Sequence, residues 1–272
     1  MEAAAYLSGR SWVFRGHERA EWDLQTSLER EFGRRGEKIE QALYWRFVRA
    51  APRLLPHGLI PHHTDAAAWL GLIQHYGGPT RLLDVTRSLY VALFFTFEAT
   101  GEGERVVWAI NEAWCQNSCA VIMADAENQP FELMHERTMV AQFQIVYSLV
   151  HRRPPPDHPS FATFQPFTGV FPLEPWQPEV RQSAQQALFL CSADPKSSFL
   201  ENLAAHKYPE STVVYRFLLP SGLRAEALEQ LSMMNVTAAT LFPDLGGLAR
   251  SLRTQSIRRD TTTSARPPWE NM

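Results

Sequence analysis

The sequence predicts an α+β fold: a single domain in which a mixed, mostly antiparallel sheet is packed with helices. Three observations carry that expectation. Strand-like segments at 11–17, 105–111, 185–191 and 212–219 alternate with helical patterns, but without a strict strand–helix–strand succession. Of the 272 residues, 45% are hydrophobic, which is enough for a substantial core and argues against global disorder. No internal repeat is visible.

The elements follow in chain order. In "SWVFRGH" (11–17), Trp12, Val13 and Phe14 favour an extended strand and Gly16 permits a sharp exit. "WDLQTSLER" reads as a turn entering a short helix. Residues 36–55 carry Ile39, Leu43 and Phe47 on one helical face. After a loop at 57–63, Thr64 is the expected cap of a helix over 65–76, stopped by Gly77, Gly78 and Pro79. A polar loop then leads to an apolar helix at about 87–99, expected to be central. Residues 112–180 are rich in proline and are expected to form an irregular insertion wrapped on the core. Beyond the strand at 185–191 come a short helix (197–206), the strand at 212–219, a helix (224–234) and a short extended piece, "NVTAATLF". Pro243 sits near the start of a last helix, where Asp244 is a natural capping carboxylate. The domain is expected to end near 255, with a disordered polar tail over 256–272.

Composition removes several function classes. The formal net charge is −3, so bulk positive charge does not hold nucleic acid, although a local basic cleft can. Cys115, Cys119 and Cys191 are an odd set without framework spacing, which argues against a disulfide-stapled secreted domain. The start "MEAAAYLSGRSW" lacks the pattern of a signal peptide, and the apolar run at 90–97 is too short to span a bilayer. A cytoplasmic protein without membrane contact is expected. His57, His62 and His63 share a loop but lack a ligand set for a metal, so none is expected. No phosphate-binding glycine loop, serine elbow or kinase motif set is present.

Two stretches carry concentrated polar chemistry. In "FRGH", Arg15 follows three apolar residues at a strand end, where its planar fork can reach a phosphate, and Gly16 would admit a ligand close to the backbone. The other reading is an edge salt bridge. In "GLIQHYGGPTRLLDVT" (71–86), polar groups lie between segments that look like core. If the chain turns helical at Pro79, Arg81 and Asp84 share a face. As a pocket floor, His75 would carry a proton or donate a hydrogen bond, Thr80 would supply a hydroxyl and Arg81 would contact an anion. As an internal clamp, the same groups would satisfy one another. Both readings stay open.

Read together, "FRGH", "WDLQTSLER", "QHYGGPTRLLDVT" with "VALFF", "QQALFLC" and "LFPDLGGLA" resemble the FRG domain family in order and spacing, over residues 11–250. That family is named for a Phe/Tyr-Arg-Gly motif and occurs in bacteria and phages, often near mobile or defence genes. The resemblance implies an FRG-type domain over 1–255 and a toxin or antiphage role directed at a nucleotide, a nucleic acid or a protein target. "VFRG" is also similar to the first motif of one branch of the ADP-ribosyltransferases, in which an Arg-Gly holds the dinucleotide phosphate. "SAQQALFL" (183–190) resembles the entry to a later strand, with Gln186 or Gln185 where that branch has a glutamate. This second resemblance implies NAD as cofactor. Arg15, Gly16, Thr80 and Arg81 would hold it, and His75, Asp84 and Gln186 would form the catalytic group. Asp84 would position Arg81 or act as the acid/base. The competing expectation is a non-catalytic module that recognises a phage component or nucleic acid.

Overall fold

The computed structural model describes residues 11–127, 142–151, 167–174, 180–206 and 213–261. One six-stranded sheet runs through them, with every pairing antiparallel and helices packed on it. The strands are β1 (Trp12–His17), β2 (Leu82–Thr86), β3 (Glu104–Asn111), β4 (Val170–Leu173), β5 (Ala187–Ser192) and β6 (Val214–Pro220). Their order across the sheet is β4-β5-β2-β1-β3-β6, so the two N-terminal strands lie at its centre.

The joint between those central strands is incomplete. β1 pairs with β3 along its whole length, from Trp12↔Asn111 to His17↔Val106. Its pairing with β2 is confined to Phe14↔Thr86. Beyond that point the two strands diverge. β2 remains fully paired with β5 on its other edge, from Leu82↔Cys191 to Thr86↔Ala187.

The helices before β2 set its position. α1 (Ser27–Phe32) is capped by Thr26, whose hydroxyl accepts from the Glu29 amide at 3.2 Å. α2 (Gly36–Ala50) gives way at Pro52 to a short 3₁₀ turn over Ala51–Arg53. α3 (Ala66–His75) is capped by Asp65, not Thr64, through a 2.9 Å bond from the Ala68 amide. A Schellman motif ends it: the Gly78 amide donates to the Ile73 carbonyl and the Gly77 amide to Gln74, with Gly77 at φ +79°.

α4 (Leu89–Glu98) crosses β1 and packs Ala92 with Trp12 and Phe14. Its approach is close. A Cβ on Gly16 would stand 2.1 Å from the Ala92 carbonyl oxygen and 2.2 Å from Thr96 Oγ1. The C-terminal carbonyls of α4 are gathered by two guanidinium groups. Arg105 donates to Thr96, Ala99 and Gly101, and Arg224 donates to Glu98 and Ala99. Cations at a helix C-terminus meet both the unpaired carbonyls and the negative end of the helix dipole.

Several expectations are corrected. "LLDVT" is strand β2 and not part of a loop or helix. Three-residue spacing joins side chains on a helix but not along a strand, so Arg81 and Asp84 part company. Much of 112–180 is regular: α5 (Glu112–Glu127), α6 (Gln142–His151) and β4 lie within it. Trp114, Cys115, Cys119 and Ala120 of α5 enter the core, and burial outweighed the proline content of the neighbouring sequence. The run "RRPPPDHP" lies outside the described residues. After α7 (Val180–Ala184), α8 (Phe199–Ala204) and α9 (Arg224–Met233), "NVTAATLF" contains a one-turn helix, α10 (Ala238–Leu241), capped by Thr237. The last helix, α11 (Leu245–Thr261), runs past the expected domain end, and 262–272 lie outside the described residues. Asp244 does cap that helix region, accepting from the Gly247 amide at 2.7 Å.

Arg81 is the largest departure. It is 2% exposed and bound at both ends of its fork by Glu40 of α2, with Nε donating at 2.8 Å. Its remaining nitrogen donates to the carbonyls of Ser192 and Ala193 at the end of β5. Burial alone would lower its pKa, but the Glu40 carboxylate overrides this and raises it. The pair ties α2 to the β2–β5 edge. Removing one member leaves a buried charge uncompensated. We expect Glu40→Gln and Arg81→Met each to destabilise the fold by about 3–5 kcal/mol in urea denaturation. The double variant should recover a large part of that loss. We also expect Gly16→Ala to cost about 1–3 kcal/mol in the same assay, because the added methyl meets backbone of α4.

Candidate functional site

The divergence of β1 from β2 opens a cleft of about 850 Å³. Its walls bring together Arg15, Gly16 and His17 from β1, Gln74 and His75 from α3, and Asp84 from β2. Trp22, Arg30, Phe95, Arg181, Gln185 and Arg250 also line it, together with the carboxylates of Glu18, Glu21, Asp23 and Glu98.

Antiparallel geometry explains which groups face the gap. The Arg87 amide donates to Gln186 and the Ser192 amide to Arg81, so the odd-numbered residues of β2 address β5. The carbonyls of Leu82 and Asp84 therefore point toward β1, which has moved away. Side chains replace it. Arg15 Nη1 donates to the Asp84 carbonyl, and Gln74 Nε2 donates to the Leu82 carbonyl at 3.3 Å.

Arg15 is half-buried, and Nε donates to His17 Nε2 at 2.9 Å. Among the described residues its guanidinium has no ion pair, and its contacts are a neutral ring and a backbone carbonyl. Desolvation lowers its pKa, the Asp84 charge opposes this, and Arg30 adds to the lowering. No hydrogen bond from Arg15 Nη2 is made among the described residues.

His17 is buried and serves as the acceptor in this pair. Its Nδ1 lies 3.3 Å from the Trp22 carbonyl, so the tautomer that satisfies both contacts carries its proton on Nδ1. Burial drives its pKa down to about 4; the Arg15 charge helps, the Trp22 carbonyl opposes, and Arg30 adds a smaller push.

Asp84 is exposed to the cleft, with Oδ2 accepting from Gln74 Nε2 at 2.8 Å. The Gln74 carbonyl oxygen receives the hydroxyls of Thr80 and, at 3.3 Å, Ser27. Donors on one end and acceptors on the other fix the amide's orientation. His75 ends α3, half-buried, with its ring edge-on to Tyr76 at 5.0 Å. At the far wall, Arg250 pairs with Glu98, and Arg181 and Arg250 lie over the Phe242 ring at 4.5 and 4.2 Å.

Residues 10–105 match the family model of the FRG domain. An FRG domain is thus present over residues 10–105 of the chain. No curated protein and no solved structure matches the chain. The match spans β1, α3, β2 and α4, and so contains Arg15, Gln74, His75 and Asp84; Arg181, Gln185 and Arg250 lie beyond it.

Within the FRG tripeptide each residue has a separate task. Phe14 is buried under α4, Arg15 enters the cleft, and Gly16 allows α4 to cross. Gly16 was expected to admit a ligand; its missing side chain instead makes room for a helix, although its backbone borders the cleft. Thr80 is fully buried behind Gln74 and does not line the cleft. Arg81 is turned to Glu40 and is likewise absent from the wall. Gln186 also misses it: the residue occupies a turn with φ +47° and its side chain is exposed. Its neighbour Gln185 lines the cleft and donates to the Leu241 carbonyl at 3.0 Å. Sequence reading did not single out Gln74 or His17 as site residues, although each adjoins one that it did.

Because the folded His17 holds its proton more weakly than the unfolded chain, its contribution to stability is present above about pH 6.5 and is lost as pH falls toward 4. His206, also held near 4 by burial, acts in the same direction. We expect the His17 ring to titrate near 4 by NMR and the thermal midpoint to fall between pH 6.5 and 4. A His17 midpoint at 6.5 would show that the ring is not the buried acceptor of Arg15.

Proposed function

We propose that the FRG domain cleft binds a nucleotide, with phosphate on Arg15 and sugar hydroxyls on Asp84. The observation that carries this reading is an arginine fork that, among the described residues, has no carboxylate partner, beside a carboxylate that has no cation partner among them, both at one opening. A guanidinium edge suits phosphate oxygens, and a carboxylate accepts from hydroxyls. Trp22, 45% exposed, and Phe95 offer planar apolar surface for a base. The volume falls in the range of small-molecule sites and suits a dinucleotide better than a duplex.

NAD fits the donor set. Arg15, assisted by Arg30, would hold its pyrophosphate, and the aromatic side chains would face its rings. What NAD supplies when bound is a ribose joined to a good leaving group, nicotinamide. On this reading Asp84 stabilises positive charge developing at the ribose, since a glutamine at 185 or 186 cannot. His75, which lines the cleft, would take the proton of an attacking acceptor. The protein would then be an ADP-ribosyltransferase-like effector, with a toxin or antiphage role, acting on a nucleotide, nucleic acid or protein.

A second reading has its own support. The strand entry at 185–187 carries no acid, and Gln185 is tied to the Leu241 carbonyl. That favours a module that binds a nucleotide or nucleic acid without turning it over.

Calorimetry with NAD and ADP, and chromatography for released nicotinamide, test both. We expect Arg15→Ala to weaken binding by about 1.5–3 kcal/mol, the range of a hydrogen bond to a charged group, and Arg15→Lys to recover only part of it. Nicotinamide release lost in Asp84→Asn supports transfer. Binding without release supports the module. Failure of NAD, ADP and single-stranded oligonucleotides to bind the folded protein would overturn the nucleotide reading.

A further inference from the structure

Arg15 and Asp84 carry opposite charges and are close enough for each to feel the other, yet they form no ion pair. Arg15 takes the backbone carbonyl of Asp84 and leaves its carboxylate alone. The Asp84 carboxylate is taken up instead by the Gln74 amide.

We infer that Gln74 is a positioning residue that keeps the Arg15–Asp84 ion pair from forming and so keeps the anion site open. Its amide nitrogen binds Asp84 Oδ2 at 2.8 Å and the Leu82 carbonyl at 3.3 Å. Its oxygen is held by the Thr80 hydroxyl, and the Ser27 hydroxyl is shared between it and the Thr80 carbonyl, each at 3.3 Å. Thr80 is itself fixed, since its amide donates to Ser27 Oγ at 2.9 Å and its hydroxyl accepts from the Leu82 amide at 3.2 Å. The polar cluster of "QHYGGPTRLLD" thus has a specific product. A neutral amide occupies the carboxylate, and the arginine is left with neutral partners. A glutamate at 74 would repel Asp84, and a lysine would neutralise it; an amide binds it without changing the charge of the cleft.

This inference rests on the anion-site reading above, and two measurements separate the failure of one from the failure of the other. The first needs no ligand. In a crystal structure of Gln74→Leu, the Arg15 guanidinium is expected within about 4 Å of the Asp84 carboxylate, the distance of a salt bridge. The second uses inorganic pyrophosphate, which has no hydroxyl for Asp84 to accept from. Gln74→Leu should weaken its binding about tenfold, equivalent to roughly 1.4 kcal/mol. Adding Asp84→Asn to Gln74→Leu should restore binding to within about threefold of Asp84→Asn alone, because no carboxylate remains to capture the arginine. A role confined to bracing α3 against β2 predicts no such rescue. The inference is overturned if Gln74→Leu keeps the two side chains apart, or if the double variant binds no better than Gln74→Leu. If the unaltered protein does not bind pyrophosphate, the anion-site reading fails, and the crystal structure still decides the role of Gln74.

Discussion

An interior strand of an antiparallel sheet satisfies its outward carbonyls with its neighbour's amides, and β2 does so along its whole length only on the side of β5. On the side of β1 the pairing stops after Phe14↔Thr86, and the Leu82 and Asp84 carbonyls accept from Gln74 and Arg15 instead. Buried or half-buried carbonyls left without donors would cost enough to close such a gap. Side chains that donate across it allow the sheet to stay open. The cleft is therefore a consequence of the hydrogen-bond arrangement of the central strands, and Arg15 both bridges those strands and lines the cleft.

The packing around β1 keeps that arrangement in place. α4 lies so close to β1 that position 16 cannot carry a side chain without displacing helix backbone. The helix is held from its other end by Arg105 and Arg224, which take its terminal carbonyls. With α4 fixed on one side and β3 paired along the whole of β1, the first strand is not free to swing back toward β2. Glu98, at the end of the same helix, holds Arg250 at the far wall. The groups that open the cleft and those that line it are thus linked through one helix.

Much of this was legible in the sequence. The strands at 11–17, 105–111, 185–191 and 212–219 and the helices beginning near 36, 65 and 224 follow from apolar periodicity and breakers, and the structure has them. β2 was not legible, because "LLDVT" is short and follows a polar turn; its strand character comes from pairing with β5, a contact a hundred residues away in sequence. The misassignment of Arg81 followed directly, since a helix would have placed it beside Asp84. α5 was obscured by the prolines that follow it. Arg15 and Asp84, which line the cleft, were singled out from residue type and position. Gln74 was not, because its importance lies in an orientation set by Thr80 and Ser27.

Arg15 and Arg81 show how differently two arginines are satisfied in one fold. Both are desolvated, and the two sit near the same strand. Arg81 meets a carboxylate that binds it through two bonds, so its field is cancelled within the fold and its effect is to join α2 to the sheet. Arg15 meets a ring held neutral by burial and a backbone carbonyl. Those acceptors orient the guanidinium without neutralising it, and its lowered pKa reflects charge held in a poorly solvated place without a fully matching counter-ion. A partner that brings negative charge to that place relieves the cost, whereas one brought to Arg81 would have to displace Glu40. On the proposed reading, the distinction between scaffold and site lies in whether an arginine's acceptors are ionised.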